Sequence, residues 1–204
     1  MELRNDVQTN LYLHKRIKPM KKLTSTLLCL LLILSIAFCL TACKSRTDEM
    51  ADQEIYTEKQ MNKMKNKVIK CINEKDKEGL KKLFSKDAQK HIEDLDGKLD
   101  QLIGAFNGNK IESAKGEGSG FEGSVSTQPI HIYEDYNITL NNGDEYTLFV
   151  SFCDKNDNEP EKVGLIQIEL RTFSSEKTPK DFSGGKYKDD YGIFIYTLQN
   201  YPKK

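Results

Sequence analysis

The spacing of apolar residues changes once along this chain, and that change limits which folds it can adopt. Before Gly108, apolar residues recur every three or four positions among lysines and acidic residues, which is typical of amphipathic helices. After residue 130 they alternate with polar residues, which is typical of strands with one buried face. Helices followed by strands predict an α+β domain whose helices pack on one face of a sheet.

Three helices are predicted in the first part of this domain. The first spans residues 53–73, and the second begins after Asp76, a residue type that is favoured at the N-cap. Ser85 is the predicted N-cap of the third helix, which continues until Gly108 supplies the stop. The apolar stripe of the first helix consists of Met61, Met64, Val68 and Ile72.

The strands are predicted to form a strongly bent antiparallel sheet of about four to six strands. Residues 130–140 and 145–153 form a hairpin across the turn sequence Asn-Asn-Gly-Asp. Residues 163–171 and 191–198 supply two more strands. The glycine-rich residues 116–123 indicate two short edge strands with a bulge, because glycine weakens a regular strand.

The helix junctions resemble those of a known domain type. Residues 73–85 read NEKDKEGLKKLFS, which is similar to a helix junction of nuclear transport factor 2-like domains. The phrases DLD at 94–96 and FNG at 106–108 resemble those of a family of small Gram-positive lipoproteins of unknown function. The resemblance covers about residues 52–200 and implies a cone, in which a bent sheet wraps three helices, often with a pocket at its open end. It implies no particular reaction, because that superfamily includes enzymes, binding modules and scaffolds.

An apolar run near the start of the chain predicts export and a lipid anchor. The apolar run of residues 27–40 follows the basic motif MKK, which begins at Met20. Its last residue, Leu40, begins the motif LTAC, whose cysteine is Cys43. Because LTAC resembles a bacterial lipobox, we expect residues 1–42 to be a signal peptide whose true start is Met20. Cys43 would then carry a diacylglycerol anchor with acyl chains such as palmitate. The alternative is a retained transmembrane helix, which requires about 20 apolar residues.

The lipid anchor predicts localisation on the outer face of the cell membrane of a Gram-positive bacterium. Residues 43–51 are polar and indicate a flexible tether, while residues 52–204 have the length of a single domain. The first 42 residues carry six Lys and Arg and two acidic residues, so in a neutral chain the remainder has a net charge of −4. This acidic balance argues against nucleic acid as a partner.

Cys71 and Cys153 leave two alternatives open. An exported protein can join two such residues in a disulfide. Both cysteines also lie in segments with apolar patterning, where a buried thiol behaves as a small hydrophobic group. The sequence does not fix the Cα separation that a disulfide requires, so it does not decide between the two.

Two groups of residues are candidates for binding. His131 and Tyr133 share the strand face opposite Ile130 and Ile132, and they become polar pocket residues if that face lines the cone. The loop over residues 180–191 mixes aromatic rings with charges of both signs, as interfaces do. Its candidate contact residues are Phe182, Lys186, Tyr187 and Tyr191.

The sequence contains no motif that predicts a metal, a cofactor or a catalytic residue. The segment that begins at Asp154 starts like a calcium loop, but Glu159 and Leu165 stand where that loop requires Gly and Glu. Nucleophile motifs and zinc-binding spacings of Cys and His are absent. We therefore expect a binding module for a small ligand or an envelope protein. The alternatives are an extracytoplasmic hydrolase or isomerase with its site inside the cone, and an accessory subunit of an envelope complex.

Overall fold

A computed structural model describes residues 48–124, 127–183 and 191–203. The chain divides into two compact units, Met1–Asp52 and Gln53–Lys204, and the fold below is that of the second unit. The predicted signal peptide and the predicted lipidation site Cys43 lie outside the described residues. Among the residues that the structure describes, no helix has both the length and the apolar character needed to span a bilayer.

Helices form about the first third of the second unit. They are α1 at residues 53–74, α2 at Lys77–Leu83, α3 at Lys86–His91 and α4 at Leu95–Gly104. Both predicted N-caps are confirmed: Asp76 Oδ1 accepts a hydrogen bond from the amide of Gly79 at 2.8 Å. Ser85 Oγ accepts one from the amide of Ala88 at 3.0 Å. Residues 48–51, expected in a flexible tether, are helical as well, because Glu, Met and Ala favour helix.

The segment predicted as one third helix is interrupted before α4. Ile92 takes an extended conformation with φ −81° and ψ 107°, and Asp94 is left-handed with φ 48°. The carboxylate of Asp94 accepts a hydrogen bond from the amide of Gly97 at 3.2 Å, so this residue begins a new helix. The interruption leaves both Ile92 and Leu95 buried, at 5% and 6% exposure. The described unit therefore has two helices, α3 and α4, where the periodicity predicts one.

Five strands form one sheet in the order β1-β2-β3-β4-β5. They are β1 at Ile111–Glu122, β2 at Ile130–Leu140, β3 at Glu145–Lys155, β4 at Gly164–Arg171 and β5 at Gly192–Tyr196. The strands from β1 to β4 are antiparallel to their neighbours, whereas β5 runs parallel to β4. The prediction of a wholly antiparallel sheet is therefore wrong at the last strand. Parallel neighbours need a long connection, and the segment between Arg171 and Gly192 has the length for it.

β1 is one continuous edge strand where the glycine pattern predicts two short ones. The predicted bulge is confirmed, because the register of β1 with β2 shifts between Ile111 and Ser113 and again between Gly116 and Gly118. The predicted hairpin between β2 and β3 is confirmed as well, with Gly143 at φ 86° in its turn.

The hydrophobic core lies between the helices and one face of the sheet. α4 contributes Leu99 and Leu102, which are fully buried. The buried residues of β2 on this face are Ile130, Ile132, Tyr136, Ile138 and Leu140. Cys71 and Cys153 are both free thiols, so of the two alternatives the structure contains the one without a disulfide.

The junction between α2 and α3 docks against the start of β4. The amide of Ser85 donates to the carbonyl of Leu165 at 3.0 Å, and Phe84 forms a β-bridge with Leu165. Gly164 has φ +133°, and a side chain at this position would lie 2.7 Å from the Ser85 nitrogen. This close approach fixes β4 against the helices and defines one wall of a cavity.

Candidate functional site

A cavity of about 220 Å³ opens between α1 and the adjoining ends of β3 and β4. Its apolar lining comes from Met64 of α1, Phe152 of β3 and Val163, which precedes β4. The pairing of β3 with β4 shifts between Ser151 and Phe152, and this irregularity lies where the cavity opens. Apolar walls with a few polar groups are typical of small-ligand sites.

Charged side chains line the rim of the cavity. Lys63 and Lys67 are exposed and lie four residues apart on α1, and Asp154 adds a carboxylate from β3. The hydroxyl of Tyr56 donates to Asp154 Oδ2, which ties α1 to the sheet beside the cavity. Burial and the neighbouring carboxylate raise the pKa of Tyr56 to about 12, so the phenol keeps its proton at neutral pH. The rim thus offers two ammonium groups and one carboxylate that is already hydrogen-bonded.

Cys153 also lines the cavity, but its thiol is not an activated nucleophile. The residue is 1% exposed, and burial raises the pKa of its thiol to about 11. Its Sγ donates to the carbonyl of Lys155 at 3.6 Å. Because the thiolate is the reactive form of cysteine, this environment gives Cys153 a packing role.

The face of the sheet opposite the helices carries a buried carboxylate between two aromatic rings. Glu169 of β4 pairs with Phe149 of β3 on one side and with Phe194 of β5 on the other. Phe149 pairs in turn with Asp135 of β2. Glu169 is 1% exposed, which is rare for an acidic residue unless it is paired. We call this set the carboxylate row: Asp135, Phe149, Glu169 and Phe194.

Arg171 supplies one positive charge to the carboxylate row. Its Nε donates to Glu169 Oε1 at 2.6 Å, and its Nη2 donates to Asp135 Oδ1 at 3.0 Å. The ring of Phe182 packs over the guanidinium at 5.3 Å. Glu169 Oε2 is buried and has no hydrogen-bond partner in the described part of the chain. One guanidinium therefore serves two carboxylates and leaves one oxygen of Glu169 unpaired.

Burial raises the pKa of both carboxyl groups in the carboxylate row. For Glu169 and Asp135 the loss of hydration is the largest cause, and Arg171 opposes it. Asp135 raises the pKa of Glu169 further, and Glu117 does the same to Asp135. Within the described ranges, no group of three or more His, Cys, Asp or Glu residues is placed to hold a metal ion. The row has an excess of negative charge that a second cation would reduce.

His131 and Tyr133, predicted as pocket residues, lie on this same face of the sheet. Both are half-buried, and the Tyr133 ring packs 6.4 Å from the ring of Phe149 and directly over Gly120. Neither residue lines the cavity beside α1. A ligand that contacts them would approach the sheet from the side opposite the helices, and their role in binding stays a prediction.

Phe182, predicted as an exposed contact residue, is instead a buried anchor. It is 8% exposed, and its ring packs edge-on against the rings of Phe173 and Tyr196. Burial of these rings beside Arg171 explains why Phe182 does not face solvent. The two neighbouring candidates, Lys186 and Tyr187, lie outside the described residues.

Tyr191, the last candidate of the contact loop, is attached to α3. Its ring stacks on His91 with a centroid distance of 5.2 Å, and its hydroxyl donates to Asp87 Oδ2 at 2.5 Å. Burial and the Asp87 carboxylate raise the pKa of Tyr191, so the hydroxyl remains a donor. The hydrogen bond from Tyr191 to Asp87 therefore holds the start of β5 against the helices.

The rim lysines and the carboxylate row are not predicted by the sequence pattern. Alternation within GLIQIELR does place Glu169 and Arg171 on one strand face, and this was the available signal. The properties of Glu169 and Arg171 depend on their burial. This burial is due to rings such as Phe182, which are distant along the chain.

A family model described as a domain of unknown function (DUF5104) matches residues 67–177. The match begins within α1 at Lys67 and includes β1 to β4, so it contains Glu169 and Arg171 and ends before β5. No curated protein matches the chain.

Proposed function

Because the chain belongs to the DUF5104 family, a family of unknown function, we propose a function from its own geometry. We propose that it is a lipid-anchored protein on the outer face of the cell membrane and binds a small ligand in the cavity beside α1. The cavity carries this proposal, because it combines apolar walls with a charged rim.

The lining favours a ligand with an apolar body and an anionic group. Met64, Phe152 and Val163 offer apolar surface, while Lys63 and Lys67 offer two ammonium groups at the rim. The volume of about 220 Å³ is smaller than the sites of drug-sized ligands, which measure about 300–1,000 Å³. The ligand is therefore a small molecule, or one end of a larger one.

Binding accounts for the cavity better than catalysis does. A hydrolase or isomerase needs a base or nucleophile that faces the substrate. Asp154 is the carboxylate in the lining, and it already accepts the hydroxyl proton of Tyr56. Cys153 is the thiol in the lining, and its raised pKa keeps it protonated.

We further propose that the domain has the cone-shaped fold of nuclear transport factor 2-like domains. The helix junction at residues 73–85 supports it, as do the register shifts in the three antiparallel strand pairs, because bulges bend a sheet. In such a cone, the cavity beside α1 is the open end of the space between sheet and helices.

Native mass spectrometry of the full chain, purified in a mild detergent, tests ligand binding. Wild-type protein should carry a discrete bound mass on the order of a few hundred daltons. Val163→Trp fills the mouth of the cavity and should lose this mass, whereas the control Leu198→Trp alters an apolar residue of similar exposure that does not line the cavity. A clean apo mass in the wild type, or retention in V163W, would remove the support for this function and favour a protein partner.

The lipid anchor has its own test in a Gram-positive host. Because the LTAC motif ends at Cys43, the mature protein should begin at that residue and carry the mass of a diacylglycerol group. Cys43→Ala should remain unprocessed and unlipidated. An unmodified wild-type chain that retains residues 1–42 would contradict the anchor and favour the transmembrane alternative.

A further inference from the structure

We propose that the carboxylate row is a second binding site, which takes an organic cation bearing N–H groups, an ammonium or a guanidinium, over Glu169 between the rings of Phe149 and Phe194. This site lies on the face of the sheet opposite the helices, whereas the cavity lies on the helix side. The inference therefore does not depend on the function proposed for the cavity.

Unpaired buried oxygens supply the first argument. Glu169 is 1% exposed and Ser151 is fully buried, and in the described part of the chain neither Glu169 Oε2 nor Ser151 Oγ has a hydrogen-bond partner. The two residues lie on neighbouring strands of the same sheet face, where Ser151 is the diagonal neighbour of Glu169. Buried polar atoms without partners are rare in native proteins, and each calls for an explanation. A ligand that donates N–H groups would satisfy both oxygens.

Charge supplies the second argument. Glu169 and Asp135 share the single guanidinium of Arg171, and Glu117 lies close enough to raise the pKa of Asp135. Arg171 donates to Oε1 of Glu169 and not to Oε2, so the Oε2 side of this carboxylate lacks a neutralising positive charge. A cation is therefore the complementary ligand, and an anion would be repelled.

The flanking rings supply the third argument. Phe149 and Phe194 pair with Glu169 from the two neighbouring strands, and Tyr133 packs on Phe149. Aromatic faces attract cations, and Phe182 already does so with Arg171 on this same face of the sheet. Phe149 and Phe194 are half-buried, and a ligand would reach the carboxylate by displacing one of these rings.

Ligand-observed NMR with the full chain tests the proposal, with n-butylammonium as the probe and n-butanol as its neutral counterpart. Wild-type protein should bind n-butylammonium saturably and n-butanol much more weakly. Glu169→Gln keeps the shape of the side chain and should weaken n-butylammonium binding by at least about tenfold, since it removes the charge. The exposed control Glu161→Gln should bind as the wild type does.

Further variants keep the result interpretable. Phe149→Leu changes a half-buried ring and keeps Glu169, so it should fold and weaken binding even if E169Q does not fold. V163W blocks the cavity beside α1 and should leave n-butylammonium binding unchanged. Absence of wild-type binding, unchanged affinity in folded E169Q or F149L, or loss of binding in V163W would each overturn the proposal. Tighter binding of tetramethylammonium, which has no N–H group, would overturn the hydrogen-bonding part.

Discussion

Replacing Arg171 with Met should destabilise the protein far more than removing an ordinary surface cation. The Arg171 side chain is 14% exposed and donates to Glu169, whose side chain is 1% exposed, and to Asp135, whose side chain is 36% exposed. Removing one partner of a buried ion pair costs about 3–5 kcal/mol, because the remaining charge stays buried and unpaired. Solvent screens Asp135, so we expect a loss of about 3 kcal/mol in the free energy of unfolding near neutral pH.

The loss should depend on pH with a defined sign. The pKa values of Glu169 and Asp135 are raised in the folded protein, so the folded state binds protons more tightly than the unfolded chain. Their contribution to stability is full below the unfolded pKa values of about 4 and is lost as pH rises through the folded values. Arg171 lowers both folded pKa values, so its removal enlarges this loss. The free energy of unfolding of R171M should therefore differ less from that of the wild type at acidic pH than at neutral pH.

Urea unfolding of the full chain at about pH 4 and about pH 7, followed by circular dichroism, measures both effects. Lys81→Met is the matched control, since it removes an exposed pair with Asp96 at 2.8 Å that is worth about 0–1 kcal/mol. The double variant R171M/E169Q should regain most of the lost stability, because the unpaired charge on Glu169 is gone. Equal losses in R171M and K81M, or a loss that does not change with pH, would refute the reasoning.

Two pairs of substitutions and one labelling experiment test the packing. Leu99→Ala empties a fully buried position and should lower the free energy of unfolding by about 2–5 kcal/mol, whereas Leu198→Ala, at 48% exposure, should change it by less than about 0.5 kcal/mol. Gly164→Ala puts a methyl group 2.7 Å from backbone at φ +133° and should cost more than about 1 kcal/mol. A methyl group at Gly118 would lie in open space, so the melting temperature of Gly118→Ala should be close to that of the wild type. The Cys153 thiol, with its pKa raised to about 11, should resist iodoacetamide until the chain is unfolded, as peptide mass spectrometry would detect. Equal costs within either pair of variants, or rapid labelling of native Cys153, would contradict the packing.

Features governed by neighbouring residues were predictable from the sequence. The caps at Asp76 and Ser85 and the turn at Gly143 each depend on a few adjacent positions, and the structure confirms them. The break before α4 was not predictable in this way. It depends on Asp94 adopting a left-handed conformation, which the apolar periodicity does not record.

Features that depend on distant segments were not predictable. The parallel pairing of β5 with β4 is one such feature, because an apolar strand pattern carries no information on strand direction. The burial of Glu169 and Arg171 depends on Phe182, which is distant along the chain and packs over the Arg171 guanidinium. The cavity likewise arises where α1 passes the irregular end of β3, and only the folded chain brings these elements together.

The two edges of the sheet discourage growth by addition of further strands. β1 is twelve residues long and mostly exposed, but its register with β2 shifts twice and it carries charged side chains such as Lys115 and Glu117. A straight partner strand could not follow such an edge, because bulges interrupt the row of available amide and carbonyl groups. The opposite edge, β5, is only five residues long. Neighbouring copies crowded together can therefore touch without fusing their sheets, and this protects the fold from aggregation.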